Sequence, residues 1–298
     1  MRRRIIPVCF ITDDAYVLPT LTAIESLFAC KKLLTQYSVF VLTGSDLSER
    51  SRTAISAVHH GITVISEQVD PVFDAVSNNG RHVSKTALLK FRLAEIFHDY
   101  DQLLYIDSDV VIRKDLKRFM LTDLEREGVY AAVVETYSAP LLKVNPFDYL
   151  SVRHYFNSGV MLLNLKKMRE DNIGSKLMDY RLNGRNHYMD QDALNEVFHD
   201  RVLLFPITYN LMYTSMYRFS PEQVCRLYRL PAVKTWDELV NMSYILHYSS
   251  AEKPWLYDNI WKNEIWYRYY CRLPETVRSA FPLSRVRHER AHRPVESS

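Results

Sequence analysis

The 298-residue chain balances 38 Lys and Arg against 35 Asp and Glu for a net charge of +3, with 47% hydrophobic and 24% charged residues. Those proportions suit a globular protein with a sizeable core and exclude a disordered or collagen-like chain. So small a net charge, with no zinc-finger or RNA-binding signature, argues against nucleic acid as a partner.

Read in chain order, the first hundred residues alternate between two periods. Ile5 to Ile11 reads as a strand, Leu18 to Phe28 as a helix, Val39 to Leu42 as a strand and Ser48 to Val58 as a helix with Ser48 as its N-cap. Ile62 to Ile65 reads as a third strand and Val69 to Arg81 as a loop. Ser84 to Phe97 reads as a helix on the spacing of Ala87, Leu88, Phe91 and Ile96, and Leu103 to Ile106 as a buried strand. Alternation of this kind means parallel βαβ units and an α/β fold. Further strands are expected at Tyr130 to Val134, Val160 to Leu163, Val202 to Phe205 and Tyr244 to Leu246, with a helix at Gln191 to Phe198.

The Leu103–Ile106 strand runs directly into Asp107-Ser108-Asp109. Carboxylates at the carboxyl end of such a strand face the ligand crevice of an open α/β sheet. Alternate residues of an extended chain point the same way, so both can grip one hard cation such as Mg²⁺ or Mn²⁺. The 7 glycines are never clustered, which excludes the loops GxGxxG and GxxxxGK. A nucleotide bound here would need a metal and cationic side chains to neutralise its phosphates.

Four further segments join this one: Phe10-Ile11-Thr12-Asp13-Asp14-Ala15-Tyr16, Tyr155-Phe156-Asn157-Ser158-Gly159-Val160, Met189-Asp190-Gln191-Asp192-Ala193, and Leu246-His247-Tyr248-Ser249-Ser250-Ala251-Glu252-Lys253-Pro254-Trp255. In order and spacing the five resemble the family 8 glycosyltransferases, over about Ile5 to Trp255. The resemblance implies a GT-A fold, a mixed and mainly parallel sheet flanked by helices. It also implies retaining transfer of a hexose, glucose or galactose first, from a UDP-sugar to a glycan or glycolipid acceptor such as a lipopolysaccharide core. The implied ion is Mn²⁺, with Mg²⁺ as the alternative.

By motif position the resemblance makes Asp107, Asp109 and His247 the metal ligands. Asp13 would hydrogen-bond the uracil ring, with the rival role of a helix N-cap, and Tyr16 would stack on the base. Ser108, Ser250 and Lys253 would contact the nucleotide. Where many relatives carry an arginine ahead of the DxD strand, this chain has Lys90, which keeps the charge without the bidentate fork; Arg92 falls on another helix face. Asp190, Gln191 and Asn157 would work at the sugar: Asp190 on donor hydroxyls, Gln191 beside the anomeric carbon. Asp192 has the rival role of a charge favoured at a helix N-terminus, and Glu135 is a looser hydroxyl-binding candidate. Acceptor contacts are expected from Thr136 to Val152 and Tyr209 to Tyr217.

The division expected is a catalytic domain over 1–258 and an extension over 259–298. Trp261, Trp266, Tyr267, Tyr269 and Tyr270, with Arg268 and the arginines that follow, suit either an anionic membrane surface or a docked helix with a solvated basic tail. On the first reading, deletion after Tyr270 would leave the catalytic domain intact. Cys9, Cys30, Cys225 and Cys271 form no CxxC pair, which argues against a disulfide framework and a structural zinc. With no cleavable leader and no apolar run near 20 residues, the expected location is cytoplasmic, at most peripheral on the membrane. The competing readings are a haloacid-dehalogenase-type phosphatase, whose strand-DxD opens the domain, and a nucleotide-sugar-binding protein without turnover.

Overall fold

The computed structural model describes residues 5–71, 85–137, 152–183, 188–289 and 291–296. The expected loop beyond 71, the residue Ser84 and most of the expected acceptor segment between 136 and 152 lie outside them.

The first half builds a parallel sheet. Strands β1 (Ile5–Thr12), β2 (Gln36–Thr43), β3 (Ile62–Ser66) and β4 (Gln102–Ile106) pair in the order β3-β2-β1-β4. Helices α1 (Val17–Ala29) and α2 (Glu49–Val58) connect the first three strands, and Ser48 caps α2 by accepting from the Ser51 amide. β1 is buried along nearly all its length, as expected for a parallel strand covered on both faces. Its side chains alternate between two core layers: Val8 and Phe10 join Leu21, Ile24 and Trp266, while Cys9 and Ile11 join Phe91, Leu93 and Phe198. β1 is flanked by β2 on one side and β4 on the other, so the crevice between the carboxyl ends of β1 and β4 is a topological switch point, where open α/β sheets bind ligands.

β5 (Val110–Ile112) follows the DxD turn. The large sheet then continues through β6 (Ala131–Glu135), β7 (Phe156–Asn164) and β8 (Val202–Leu204). β7 runs antiparallel between β4 and β6, which makes the seven-stranded sheet mixed. β5 leaves it for a small sheet with β9 (Leu211–Met212) and β10 (Ile245–His247).

Three expected elements differ. The helix expected over 84–97 is a 3₁₀ helix over Lys85–Arg92 and a short α-helix over Leu93–Ile96. Leu88, Leu89, Lys90 and Phe91 are consecutively buried, so packing on several sides, not an amphipathic stripe, sets the local winding. β7 starts at Phe156, four residues before Val160, which places Asn157 and Gly159 in a strand. The helix expected from Gln191 spans Met189–Phe198, so it starts early enough to hold Asp190 and Gln191 in its first turn.

The aromatic segment near the C-terminus is part of the core. In helix Asn263–Tyr270, Trp266 is 0% exposed, and it joins Tyr270, Leu273, Val277 and Phe281 in the cluster that holds Phe10 and Leu21. Arg272 reaches back to Glu25 of α1 at 2.7 Å. These rings pack inward, leaving Tyr267, stacked under Arg285, as the most exposed aromatic of the segment. A deletion after Tyr270 would remove Leu273, Val277 and Phe281, which belong to this core cluster. Among the described residues no helix is long and apolar enough to cross a membrane.

Trp266→Ala is expected to lower the stability of the whole fold by about 3–5 kcal/mol, measured as a shift of a single denaturant transition. A second, separate transition for residues beyond 258 would instead make them an independent unit.

Candidate active site

Asp107 and Asp109 lie in the turn between β4 and β5. His247, far along the chain, arrives because β10 pairs antiparallel with β5: His247 sits opposite Val110, and the Tyr248 amide donates to the Asp109 carbonyl at 2.9 Å. One donor atom from each of Asp107, Asp109 and His247 lies within 4.8 Å of the other two. Two carboxylates and an imidazole suit Mn²⁺ among the hard ions, and bonds of about 2.1 Å bridge that span with small side-chain adjustment. The donor set therefore fits one divalent cation.

Gly159 on β7 makes this approach possible. A Cβ there would lie 2.5 Å from His247 Cε1 and 2.6 Å from Asp107 Oδ2. The Gly159 carbonyl accepts from the Asp107 amide at 2.7 Å, so the strand also holds the turn.

Two lysines balance the carboxylates. Lys253 Nζ donates to Asp109 Oδ2 at 2.5 Å and to the Tyr248 carbonyl at 2.7 Å. Burial pushes the Asp109 carboxyl up, but Lys253 and His247 outweigh it and hold the group well below the usual carboxylate range. Lys90, only 4% exposed, stands 2.6 Å from Asp190 Oδ2, 3.3 Å from Asp107 Oδ1 and 4.8 Å from the Tyr105 ring centroid. Burial alone would lower its proton affinity; Asp107 and Asp190 overcome that and raise it. Lys90 thus joins the cation site to Asp190. Arg92 pairs with Glu67 at 3.4 Å, away from this cluster.

The Asp190–Asn157 side is ordered by one directed series of hydrogen bonds. His247 Nδ1 donates to Asn210 Oδ1 at 2.9 Å, Asn210 Nδ2 to Asn157 Oδ1 at 2.8 Å, and Asn157 Nδ2 to Gln191 Oε1 at 3.0 Å. Gln191 Nε2 then donates to the Tyr155 hydroxyl at 3.0 Å, which donates to Asp192 Oδ1 at 2.5 Å. Gln191 Oε1 also accepts from the Ser158 amide at 3.1 Å, and Ser158 Oγ donates to Asp190 Oδ2 at 2.9 Å. Asp192 is fully buried and also accepts from the Tyr188 amide, so it anchors the network and the start of its helix.

The remaining expected residues divide. Asp13 Oδ1 accepts from the Ala15 and Tyr16 amides at 3.1 Å each. That is a turn ahead of α1, whose N-cap position belongs to Tyr16, so the N-cap role for Asp13 is not what forms. Tyr16 packs edge-on against Trp255 at 5.8 Å. Its hydroxyl is pushed up to about 12, by burial first and then by the charges of Asp109, Asp13 and Asp107, which puts it at the rim of the carboxylate cluster. Ser108 turns the other way: its hydroxyl accepts from Thr20 Oγ1 at 2.7 Å and donates to the Ile11 carbonyl at 3.1 Å, beneath the site. A side-chain contact from Ser108 to a ligand would require breaking these bonds. Ser250 accepts from the Glu252 amide at 3.2 Å and shapes the turn before Lys253. Glu135 is held by His154 at 2.9 Å and Tyr137 at 2.6 Å.

Sequence reasoning gave no individual role to Tyr155 or to Asn210, which lay inside the expected acceptor segment Tyr209 to Tyr217. Tyr155 stood in a quoted motif, but its bond to Asp192 crosses 37 positions; Asn210 had no motif signal and acts only because β9 lies beside β10.

The comparisons with known proteins agree with this geometry. A family model described as glycosyl transferase family 8 matches residues 7–259. Glycosyltransferase GlyF of Streptococcus pneumoniae serotype 4 is 25% identical over 263 residues, covering 86% of this chain and 59% of its own length. Lipopolysaccharide 1,2-glucosyltransferase of Escherichia coli K12 is 31% identical over 160 residues, covering 52% of this chain and 44% of its own. The chain thus spans about half the length of these relatives. A crystal structure of the galactosyltransferase LgtC in complex with donor and acceptor sugar analogs superposes with a TM-score of 0.76 at 26% identity, covering 93% of this chain and 100% of that one.

Gly159→Ala is expected to displace His247 or Asp107 and weaken divalent-cation binding by about tenfold or more, with the thermal midpoint little changed. Titration calorimetry checks it; unaltered cation affinity would show that the close approach is not required.

Proposed function

The chain belongs to glycosyl transferase family 8, and from that premise we propose that it transfers a hexose, glucose or galactose, from a UDP-sugar to a hydroxyl of a glycan acceptor, with retention and with Mn²⁺. The observation that carries this reading is the Asp107–Asp109–His247 cluster at the β1/β4 switch point, hydrogen-bonded through Asn210 and Asn157 to Gln191. Family membership also sets aside the phosphatase reading. The names of the relatives, a lipopolysaccharide glucosyltransferase and a galactosyltransferase, support a hexose donor and a surface-glycan acceptor. This reading takes the location as cytoplasmic, at most peripheral on a membrane.

Asp107, Asp109 and His247 would hold the cation, which neutralises charge growing on the diphosphate as the glycosidic bond breaks. Lys253, beside Asp109, adds a mobile positive charge for the same diphosphate. Tyr16 offers a ring to the uracil, and Asp13 keeps Oδ2 without a described partner for its N–H.

At the sugar, Gln191 Oε1 already accepts two hydrogen bonds. It therefore acts as a fixed dipole against positive charge at the anomeric carbon, not as a free nucleophile. Asp190 is the nearby carboxylate, but Lys90 and Ser158 both hold its Oδ2, which lowers its nucleophilicity and suits it to binding donor hydroxyls. This arrangement supports same-face attack. The acceptor oxygen bonds to the anomeric carbon as the UDP oxygen leaves, and the acceptor proton passes to that departing phosphate oxygen.

A panel of UDP-sugars tested for Mn²⁺-dependent hydrolysis identifies the donor. Asp107→Asn and Asp109→Asn are each expected to remove measurable Mn²⁺-dependent UDP binding; full affinity in either overturns the metal assignment. Gln191→Ala should lower kcat by about 10²-fold while UDP affinity changes less than about twofold. Tight UDP and Mn²⁺ binding by the wild-type chain without transfer to any acceptor would instead identify a binding protein.

A further inference from the structure

Glu252 lies between Ser250 and Lys253, yet its side chain faces inward and is 4% exposed. An ionised carboxylate can only accept hydrogen bonds, and a buried one needs several donors. Glu252 has three: the Tyr217 hydroxyl at 3.1 Å, the His292 amide at 3.1 Å and His292 Nδ1 at 2.5 Å. Two of these come from one residue near the end of the chain.

His292 belongs to a longer attachment. The Val286 amide donates to the Leu256 carbonyl at 3.0 Å, and the Asp258 amide donates to the Val286 carbonyl at 3.2 Å. His288 and Asn259 exchange two bonds, at 2.7 and 2.9 Å. The Val295 amide donates to the Met216 carbonyl at 2.9 Å, and the Val295 carbonyl accepts from Trp236 Nε1 at 2.7 Å. The tail from Val286 to Val295 therefore runs beside the segment 252–259. It is largely exposed itself, with the His292 side chain at 65%, so it adds little core. Its hydrogen bonds to that segment are its main structural contribution.

We propose that this tail is a strap that holds the Ser250–Lys253 turn in its ligand-binding shape, with His292 as the positioning residue. The inference rests on the reading of Ser250 and Lys253 as contacts to the donor diphosphate. Without the His292 imidazole the buried Glu252 carboxylate loses its shortest hydrogen bond and keeps the Tyr217 hydroxyl and the amide of residue 292. It then turns toward water to replace the lost donor, and it carries its neighbours with it. Ser250 Oγ, which holds the Glu252 amide, loses that bond. Lys253, the next residue, is drawn off Asp109. His292 reaches the donor pocket only through Glu252, so its loss acts on donor affinity and not on the chemistry at the sugar.

The test uses the full chain and UDP with Mn²⁺ as the probe. His292→Ala is expected to raise the UDP Kd by about fivefold to tenfold, with kcat at saturating donor near wild type. His292→Asn should recover much of that affinity, because its amide N–H replaces Nδ1–H. Amide hydrogen exchange on the same proteins reads the strap directly: residues 252–258 should exchange faster in His292→Ala and return toward wild type in His292→Asn. Unchanged UDP affinity and unchanged exchange in His292→Ala overturn the inference. A lowered thermal midpoint with unchanged UDP affinity also overturns it, because that marks a merely structural contact. If the wild-type chain itself fails to bind UDP, the reading of the site has failed, and the exchange data still decide whether the strap exists.

Discussion

The geometry of the site depends on one series of hydrogen bonds running in a single direction, from His247 through Asn210, Asn157, Gln191 and Tyr155 to Asp192. Asp192 is buried and accepts from the Tyr188 amide and the Tyr155 hydroxyl, so the Tyr155 proton points toward it. That leaves the Tyr155 oxygen to accept from Gln191 Nε2, which turns Gln191 Oε1 toward Asn157. The same logic orients Asn157 and Asn210 and places a proton on His247 Nδ1. His247 Nε2 is thereby aimed at the carboxylates, 3.1 Å from Asp109 Oδ1, and is the atom that would ligate a metal. A buried aspartate at the start of one helix therefore helps to orient a histidine on another sheet.

The two lysines divide the electrostatic work. Three carboxylates within one cleft would repel and raise each other's proton affinity. Lys253 holds Asp109, and Lys90 bridges Asp107 and Asp190. Both are point charges without the fixed fork of arginine. Lys90 has less freedom, because the 3₁₀ turn that carries it is packed on several sides. The C-terminal tail extends the control outward: it fixes Glu252 beside Lys253, while helix Asn263–Tyr270 packs Trp266 into the core behind α1.

Much of the fold was readable locally. Apolar runs at Ile5, Val39, Ile62 and Leu103 become four neighbouring parallel strands, because alternating strands and helices have few ways to bury both sheet faces. The errors arose where tertiary contacts override periodicity. Lys85–Arg92 winds as 3₁₀ under all-round packing, and β7 extends back through Asn157 because β6 pairs with it there. The C-terminal aromatics were ambiguous for a related reason: amphipathic rings beside arginines read alike whether they meet a lipid surface or a helix such as α1.

The sequence by itself determined the α/β class, the Asp107–Asp109 pair at a strand end, the exclusion of a glycine-rich phosphate loop and, through five ordered motifs, the family. These are properties of neighbours along the chain, where period and spacing carry the signal. Only the tertiary structure decided which distant groups meet. His247 comes to Asp109 through the β5–β10 register, and Lys90 to Asp190 through the packing of the 3₁₀ turn. Asn210 comes to Asn157 through the small sheet, and His292 to Glu252 through a tail that folds back. These pairs lie 40 or more positions apart along the chain. Only the packing of those elements, which local spacing does not encode, brings their side chains within hydrogen-bonding distance.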